Sequence, residues 1–278
     1  MKNFAPHELR QTVLKMAYSG STVHIGCAFS IIEIMSVLYR NHLRYPDNNP
    51  DATARDYLVL SKGHGVMAQY ACLYEKGWLT TFDIENYFKD GSKLKGLSDA
   101  HVIGCEVTSG SLGHGLSVGV GMALAAKLNQ SDQYCYAIVG DGEMNEGTMW
   151  EAMLFAQQQS LDNLVVIVDE NGFQAMGKTC EVLGLGNLQE KFSAFGFDAL
   201  AVDGHSETAL DEALVELKNK KNGAPKAIIA KTVKGKGVSF MEHKNEWHYT
   251  RLTQNTFELA MSELATPASP TSAAEHAQ

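Results

Sequence analysis

The sequence lacks a cysteine framework. Its five cysteines lie 30 to 45 residues apart, with no CxxC pair and no histidine at the spacing of zinc ligands. Neither a disulfide scaffold nor a structural zinc site is therefore indicated, and reduced thiols suit a protein of the cytosol. The cysteines are Cys27, Cys72, Cys105, Cys135 and Cys180.

The sequence also lacks long apolar runs and an excess of positive charge. Polar residues interrupt the apolar runs of the first twenty residues, which excludes a secretory signal. No segment approaches the roughly 18 apolar residues of a membrane span. The formal net charge of −9 argues against nucleic acid or an anionic membrane, because both attract basic surfaces. We expect a soluble, cytoplasmic protein with no nucleic acid and no membrane partner.

Short apolar runs rich in β-branched residues alternate with longer helical patterns. This alternation is typical of a parallel sheet covered on both faces, so we predict a three-layer αβα fold with a mostly parallel central sheet. The expected strands span residues 57–61, 134–139, 164–168, 199–202 and 227–232. The expected helices span residues 7–19, 30–40, 65–76, 113–129, 146–159, 188–195, 206–221 and 254–265, with Asn145 and Ser206 as helix starts.

The composition of the chain changes near its end. Residues 266–278 are small, polar and proline-containing, which is typical of a disordered tail or the stub of an interdomain linker. We predict one domain over residues 1–265, followed by this tail.

A glycine-aspartate-glycine motif ends one expected strand, and an asparagine follows the next. Asp141 lies between Gly140 and Gly142, and Asn171 comes thirty residues later. Because neighbouring parallel strands end at the same edge of a sheet, both side chains can face one Mg²⁺ ion, which prefers oxygen ligands. Gly142 lets the main chain approach a phosphate, and the helix expected near Asn145 points its positive end there. The alternative is a turn with an unrelated asparagine.

This pattern resembles the thiamine diphosphate signature, and the flanking stretches EMNEGTMWEA and NGFQAMG resemble those of transketolases. The resemblance implies a thiamine diphosphate-binding (PP domain) fold. It implies that Asp141, the Asn171 side chain and the main-chain oxygen of Phe173 hold Mg²⁺, for which Ca²⁺ or Mn²⁺ can substitute. Asn171 and Gly142 then also contact the diphosphate. Glu146 matches a family acid that lies at the subunit interface and relays protons between active sites.

Four histidines lie where neutral imidazoles can hold sugar hydroxyls and exchange protons. His64 in SKGH resembles the family histidine that touches both the diphosphate and the donor sugar. His24 in SGSTVHIG matches the histidine of an SGHPG turn, and His101 matches that of a GHPE-type turn, without its Pro and Glu. His248 follows Lys234 by fourteen residues, as in animal-type transketolases, where both approach the diphosphate and the substrate. The alternative for each histidine is a hydrogen-bonded loop residue.

The segment EVTSGSLGHG resembles the family stretch that lies along the cofactor, which implies that Gly110 and Leu112 approach its rings. Further on, Gly115, Gly119 and Ala123 recur every four residues on one face of an expected helix. Glycine costs a helix up to about 1 kcal/mol relative to alanine. We therefore expect a second helix to pack closely on this face, across a subunit interface.

Three other functions fit the motifs less well. A dinucleotide-binding loop at Gly113 and Gly115 is disfavoured, because the third glycine falls at position 119 and GxGxxG requires it at 118. The E1 alpha subunit of a 2-oxo acid dehydrogenase also divides its site between chains, but it is not expected to carry the SKGH and EVTSGSLGHG turns. A non-catalytic regulatory relative would not need the pair of Asp141 and Asn171.

The resemblance runs from about residue 9 to residue 250, which corresponds to the N-terminal third to half of a complete transketolase. The glutamate that activates the cofactor and most sugar-phosphate arginines belong to the pyrimidine-binding region beyond it. We therefore predict the N-terminal subunit of a split transketolase, which transfers a two-carbon ketol unit from a ketose, usually a phosphate, to an aldose; sulfonated or branched sugars are alternatives. A separate C-terminal subunit would complete an alpha2beta2 heterotetramer. A piece of a longer enzyme is the alternative.

Overall fold

Five apolar segments form one parallel β-sheet in the computed structural model, which describes residues 3–265. The strands are β1 (Tyr57–Leu60), β2 (Cys135–Gly140), β3 (Leu164–Glu170), β4 (Asp198–Asp203) and β5 (Lys226–Lys231). Their order across the sheet is β1-β2-β3-β5-β4, and each neighbouring pair is parallel. All five predicted strands are confirmed to within two residues at either end.

Helices of 5 to 15 residues connect these strands. The α-helices are α1 (Pro6–Ser19), α2 (Ile25–Phe29), α3 (Ile32–Val37), α4 (Val66–Lys76), α5 (Thr81–Glu85), α6 (His114–Leu128), α7 (Gly147–Gln158), α8 (Thr179–Leu183), α9 (Leu188–Ala194), α10 (Glu207–Asn219) and α11 (Gln254–Ala265). Short 3₁₀ turns lie at Pro46–Asn48, Gly63–Gly65, Gly142–Asn145 and Asn245–His248, and a π-helical turn at Leu38–His42 extends α3.

The strands β1, β2, β3 and β5 are mostly buried on both faces, whereas the edge strand β4 is partly exposed. Successive strand residues point to opposite sides, so each face has its own core. One face packs against α1–α5, α10 and α11, and its residues include Leu58, Leu60, Ile138, Ile167 and Ile228. The other face packs against α6, α7 and α9, and its residues include Val59, Val139, Val166, Val168 and Ile229. The predicted three-layer αβα architecture with a parallel central sheet is confirmed.

Two predicted helix boundaries are wrong. The helix expected over residues 30–40 begins only at Ile32, as α3, and continues into the π-helical turn that ends at His42, because Ile31 leaves the helical conformation with φ −108° and ψ 10°. Asn145 does not begin α7. It closes the 3₁₀ turn that follows β2, and Glu146 precedes the first helical residue. Ser206 does cap α10, since its side chain accepts a hydrogen bond from the Ala209 amide at 3.2 Å.

The glycine face of α6 packs differently from the prediction. A Cβ on Gly115 would lie 2.5 Å from the Cα of Ser61, and one on Gly119 would meet Cys135 and Val59. Ala123 is buried in the same core cluster. These residues therefore face β1 and β2 of the same chain, and the predicted contact across a subunit interface is wrong for this face. The glycines allow α6 to lie directly on the end of β1.

The predicted tail, residues 266–278, lies outside the described residues. Within residues 3–265, no helix combines the length and the apolar character that a membrane crossing requires.

The close approach of α6 to β1 generates a first prediction. Gly115→Ala should lower the free energy of unfolding by about 1–3 kcal/mol, because its methyl group would collide with main-chain atoms of Ser61. The measurement is urea unfolding followed by circular dichroism.

Gly121→Ala is the matched control, since it lies on the same helix with nothing within 4 Å of the added Cβ. It should raise the free energy of unfolding by up to about 1 kcal/mol through the better helix propensity of alanine. Equal stability of the two variants would show that α6 does not pack on β1 in this way.

Candidate functional site

A cavity of about 530 Å³ opens at the carboxyl ends of β1, β2 and β3. Parallel strands bring their carboxyl ends to one edge, so the residues that follow each strand can converge there. The polar lining comes from the turns after these strands, from the segment around His24 and from the 3₁₀ turn at Asn245–His248. Its polar side chains are those of His24, Cys27, Lys62, His64, Asp141, Glu143, Asn145, Glu146, Asn171, Gln174, His248 and Tyr249.

Asp141 lies directly after β2 and is buried. Its carboxylate accepts hydrogen bonds from the amides of Gly142 and Gly172, both at 2.8 Å, and from the Thr179 hydroxyl at 3.0 Å. Burial, and then the negative charge of Asp169, raise the pKa of Asp141 to about 6. A cation beside this carboxylate would relieve both effects, so the position favours a bound positive charge.

Asn171 and Phe173 lie on the turn that follows β3, beside Asp141. The Asn171 amide nitrogen donates to the Asp169 carboxylate at 2.8 Å, which leaves its oxygen facing away from that acid. This oxygen accepts from the Phe173 amide at 3.0 Å and has a second lone pair available. The sequence-predicted residues Asp141, Asn171 and Phe173 therefore all line one cavity.

A buried ion pair between Lys62 and Asp169 lies beneath the cavity. Asp169 also accepts hydrogen bonds from Ser30 at 2.7 Å and from Thr232, while Lys62 donates to the main-chain oxygen of Cys27 at 3.1 Å. Although burial alone would raise it, the ammonium of Lys62 keeps the pKa of Asp169 below its ordinary value. The pair therefore stays charged and ties α2 and the residues after β1, β3 and β5 together.

Glu143 joins three further loops at the same edge. It is almost fully buried, and its carboxylate accepts from the Ser61 hydroxyl at 2.6 Å. It also accepts from the amides of Gly113 at 2.8 Å and Gly140 at 3.2 Å. Burial raises the pKa of Glu143 in spite of these donors. This acid positions the ends of β1 and β2 against the start of α6.

Three of the four predicted histidines form a cluster on one side of the cavity. The ring centres of His24, His64 and His248 lie 5.2 to 5.5 Å apart. Lys234, which is buried behind them, approaches Nδ1 of His248 at 2.9 Å and donates to Asn245 at 3.0 Å. The three histidines form one polar wall of the cavity, although His24 and His248 are more than two hundred positions apart in the chain.

The histidine cluster is neutral at pH 7. Burial, and then the charge of Lys234, lower the pKa of His24 to about 4 and that of His248 to about 3. Burial, followed by the charge of Lys62, also holds the pKa of His64 well below its ordinary value. Each ring then has one N–H donor and one acceptor nitrogen, which suits the binding of hydroxyl groups and the exchange of protons.

Of the remaining predicted site residues, three line the cavity and one lies away from it. Gly110 and Leu112 line the cavity, and Glu146 lies exposed at its rim. His101 is not brought to the cavity, since its side chain is 93% exposed and hydrogen-bonds Asp99 at 2.8 Å.

The cavity fits a metal ion and a diphosphate. Carboxylate, amide and carbonyl oxygens at its edge form a hard ligand set suited to Mg²⁺. A Cβ on Gly142 would lie 2.8 Å from the Gln174 side chain, so the glycine allows this side chain to lie against the main chain. The Gln174 amide nitrogen is buried in this lining with no hydrogen-bond partner among the described residues. An anion that bound here could accept from that donor.

Sequence reasoning missed several polar residues of this site. Asp169 had one recognisable signal, because it is an acid in the otherwise apolar run LVVIVDE. Lys62 stands in the same SKGH motif as His64, where the resemblance pointed to the histidine alone. Cys27, Glu143 and Thr179 carried no local signal, since their roles depend on contacts with distant segments.

The chain is similar to known proteins over most of its length. Residues 7–271 match the family model described as transketolase, thiamine diphosphate binding domain. A protein of Phocaeicola vulgatus that is named as one of the subunits of apulose-4-phosphate transketolase is 38% identical over 258 residues, which cover 92% of this chain and 91% of that protein. The 6-deoxy-6-sulfo-D-fructose transketolase subunit SqwG of a Clostridium species is 39% identical over 242 residues, which cover 87% and 88%.

A solved structure gives the same result at the level of the fold. The crystal structure of transketolase from Campylobacter jejuni matches with a TM-score of 0.88 and 30% identity. The match covers 95% of this chain and 42% of that one. The chain therefore spans less than half of that transketolase, and nearly the whole length of the two relatives that are named as subunits.

The buried ion pair generates a second prediction. Asp169→Asn should lower the free energy of unfolding by about 3–5 kcal/mol, because it leaves Lys62 buried without a counter-charge. The measurement is chemical denaturation of the purified chain.

Glu181→Gln is the control, since it breaks an exposed pair with Lys178. Exposed pairs contribute little, so this variant should unfold at nearly the wild-type denaturant concentration. An Asp169→Asn protein as stable as this control would mean that the ion pair does not hold the loops together.

Proposed function

Because the chain belongs to the transketolase family, we propose that it is the subunit of a split transketolase that binds Mg²⁺ and the diphosphate end of thiamine diphosphate. With a partner it would transfer a two-carbon ketol unit from a ketose donor to an aldose acceptor. The observation that carries this proposal is the convergence of Asp141 and Asn171 on one cavity that also holds three neutral histidines.

In this proposal Mg²⁺ is held by the Asp141 carboxylate, the Asn171 amide oxygen and the main-chain oxygen of Phe173. The raised pKa of Asp141 supports this role, because the carboxylate has no cationic side chain among its hydrogen-bond partners in the described part of the chain. Ca²⁺ or Mn²⁺ can substitute, since all three ligands are oxygens.

The diphosphate would lie against Gly142, Asn171, His64 and Lys234. Gly142 permits close approach of the main chain, and Lys234 provides positive charge at the same wall. The cofactor rings would extend toward Gly110 and Leu112, which also line the cavity.

When bound, thiamine diphosphate supplies the electron sink for breaking and forming the carbon–carbon bond. The chain itself binds and orients the sugars. His24, His64 and His248 are neutral, so each can donate a hydrogen bond to one oxygen and accept one from another hydroxyl. Such groups can hold the donor and acceptor and move protons between hydroxyl oxygens and water.

His101 and Glu146 remain predictions. His101 is exposed on the loop before α6, where a sugar or a partner chain can reach it. Glu146 lies exposed at the rim of the cavity, as a residue that relays protons across an interface requires.

The partner in this proposal is a separate C-terminal transketolase subunit with a pyrimidine-binding domain, assembled as an alpha2beta2 heterotetramer. The two relatives matched over most of their length are named as transketolase subunits, which supports a divided enzyme. One is named for a sugar phosphate and the other for a sulfonated sugar, so we propose a donor with an anionic end.

The metal assignment gives a third prediction. Asp141→Ala should abolish the retention of thiamine diphosphate by the assembled complex, because the ion would lose its charged ligand. The measurement is the cofactor that remains bound after gel filtration in Mg²⁺ buffer. Asp90→Ala, at an exposed aspartate in a turn, is the control and should retain the cofactor. Wild-type retention by Asp141→Ala would refute the metal assignment.

The divided active site gives a fourth prediction. With Mg²⁺ and thiamine diphosphate, the purified chain alone should form no ketol-transfer product from ketose phosphate or sulfonate donors. Addition of the C-terminal subunit should restore transfer, and light scattering should give a mass of two copies of each chain. Ketol transfer by the chain alone would contradict the proposal that the site is incomplete.

A further inference from the structure

Three metal-ligating side chains converge in the cavity apart from the Asp141 edge. Cys27, His64 and His248 each have one ligand atom, and all three atoms lie within 4.8 Å of one another. The Cys27 sulfur lies 3.7 Å from Nδ1 of His248. Zinc–sulfur and zinc–nitrogen bonds of about 2.3 and 2.0 Å at the tetrahedral angle separate the two ligand atoms by about 3.5 Å. The spacing of Cys27 and His248 therefore matches one ion, and the three ligand atoms together would draw closer to bind it.

The fold assembles this cluster from three distant segments. Cys27 lies in α2, His64 in the 3₁₀ turn after β1, and His248 in the 3₁₀ turn before α11. The absence of local zinc-ligand spacing in the sequence is consistent with this arrangement, since no two of the ligands are neighbours in the chain.

We propose that Cys27, His64 and His248 form a binding site for a soft divalent transition-metal ion such as Zn²⁺, separate from the oxygen site at Asp141 and Asn171. One thiolate and two imidazoles select Zn²⁺ or Co²⁺ over Mg²⁺, which requires oxygen ligands. Three protein ligands leave a fourth tetrahedral position for water. All three ligands line the cavity, so that position is reachable from solvent.

Binding of an ion to this cluster requires Lys234 to leave one contact and Cys27 to lose its proton. Lys234 approaches Nδ1 of His248 at 2.9 Å, so an ion at that nitrogen displaces this contact, and Lys234 keeps its bond to Asn245. The Cys27 thiol loses its proton to water as the sulfur–metal bond forms. Burial raises the pKa of Cys27, whereas the histidines are already neutral and ready to bind.

An ion at this site would occupy two histidines that we assign to the cofactor and the sugar. Zn²⁺ would then exclude the cofactor, and that consequence rests on the proposed function. Binding of the ion itself requires neither the cofactor nor the partner, so it can be tested on the purified chain.

The test is a Co²⁺ titration of the full chain in Mg²⁺-free buffer, followed by absorption. Binding to Cys27 should give ligand-field bands and a thiolate-to-cobalt charge-transfer band at one ion per chain. Cys27→Ser should lose the charge-transfer band and bind Co²⁺ at least about 100-fold more weakly, since even the loss of an outer partner costs about 10- to 100-fold. Cys180→Ser, at the exposed cysteine, is the matched control and should keep the wild-type spectrum.

Two further variants complete the test. His248→Asn should keep the thiolate band but weaken binding, which tests the cluster independently if Cys27→Ser fails to fold. Asp141→Ala should keep the wild-type thiolate-to-cobalt band, so failure of the Mg²⁺ assignment is distinguishable from failure of this one. A thiolate band that persists in Cys27→Ser, is lost in Cys180→Ser, or is absent from the wild type would overturn the proposal.

Discussion

A buried ion pair between Lys62 and Asp169 holds the loops around the cavity in position. Both side chains are almost completely excluded from water. In such a buried position either charge alone would be strongly unfavourable. The pair is satisfied only while Ser30, Thr232 and the main-chain oxygen of Cys27 remain in place. The pair and its partners come from α2, β3 and the segments after β1 and β5, so this one electrostatic requirement connects these parts of the carboxyl edge of the sheet.

The same burial sets the protonation states of the site. Burial raises the pKa of Asp141, and a nearby cation would stabilise its charged carboxylate. Burial also lowers the pKa of His24 and of His248, so both rings act as neutral hydrogen-bonding groups. Lys234 strengthens the second effect because its charge lies beside the histidines. One dry cavity therefore combines an edge that favours a bound cation with a neutral wall that suits sugar hydroxyls.

The two sides of the cavity also differ in the metals that they favour. Asp141, Asn171 and Phe173 offer oxygen atoms to a metal ion, whereas Cys27 offers sulfur and the histidines His64 and His248 offer nitrogen. Hard and soft ions would therefore bind at different places in one cavity. Glu143 holds the ends of β1 and β2 and the start of α6 together through three hydrogen bonds.

The amino-acid sequence by itself determined the strands, the layers and the placement of Asp141 and Asn171 at one edge of the sheet. Continuous β-branched runs predict buried parallel strands, and strand ends at one edge must meet, so both inferences follow from local pattern. Only the tertiary structure decided that Cys27 meets His248, which is 221 residues away, and that Gly115 lies against the end of β1. The physical reason is that such contacts depend on how distant segments pack, and packing between distant segments leaves no periodic trace in the chain.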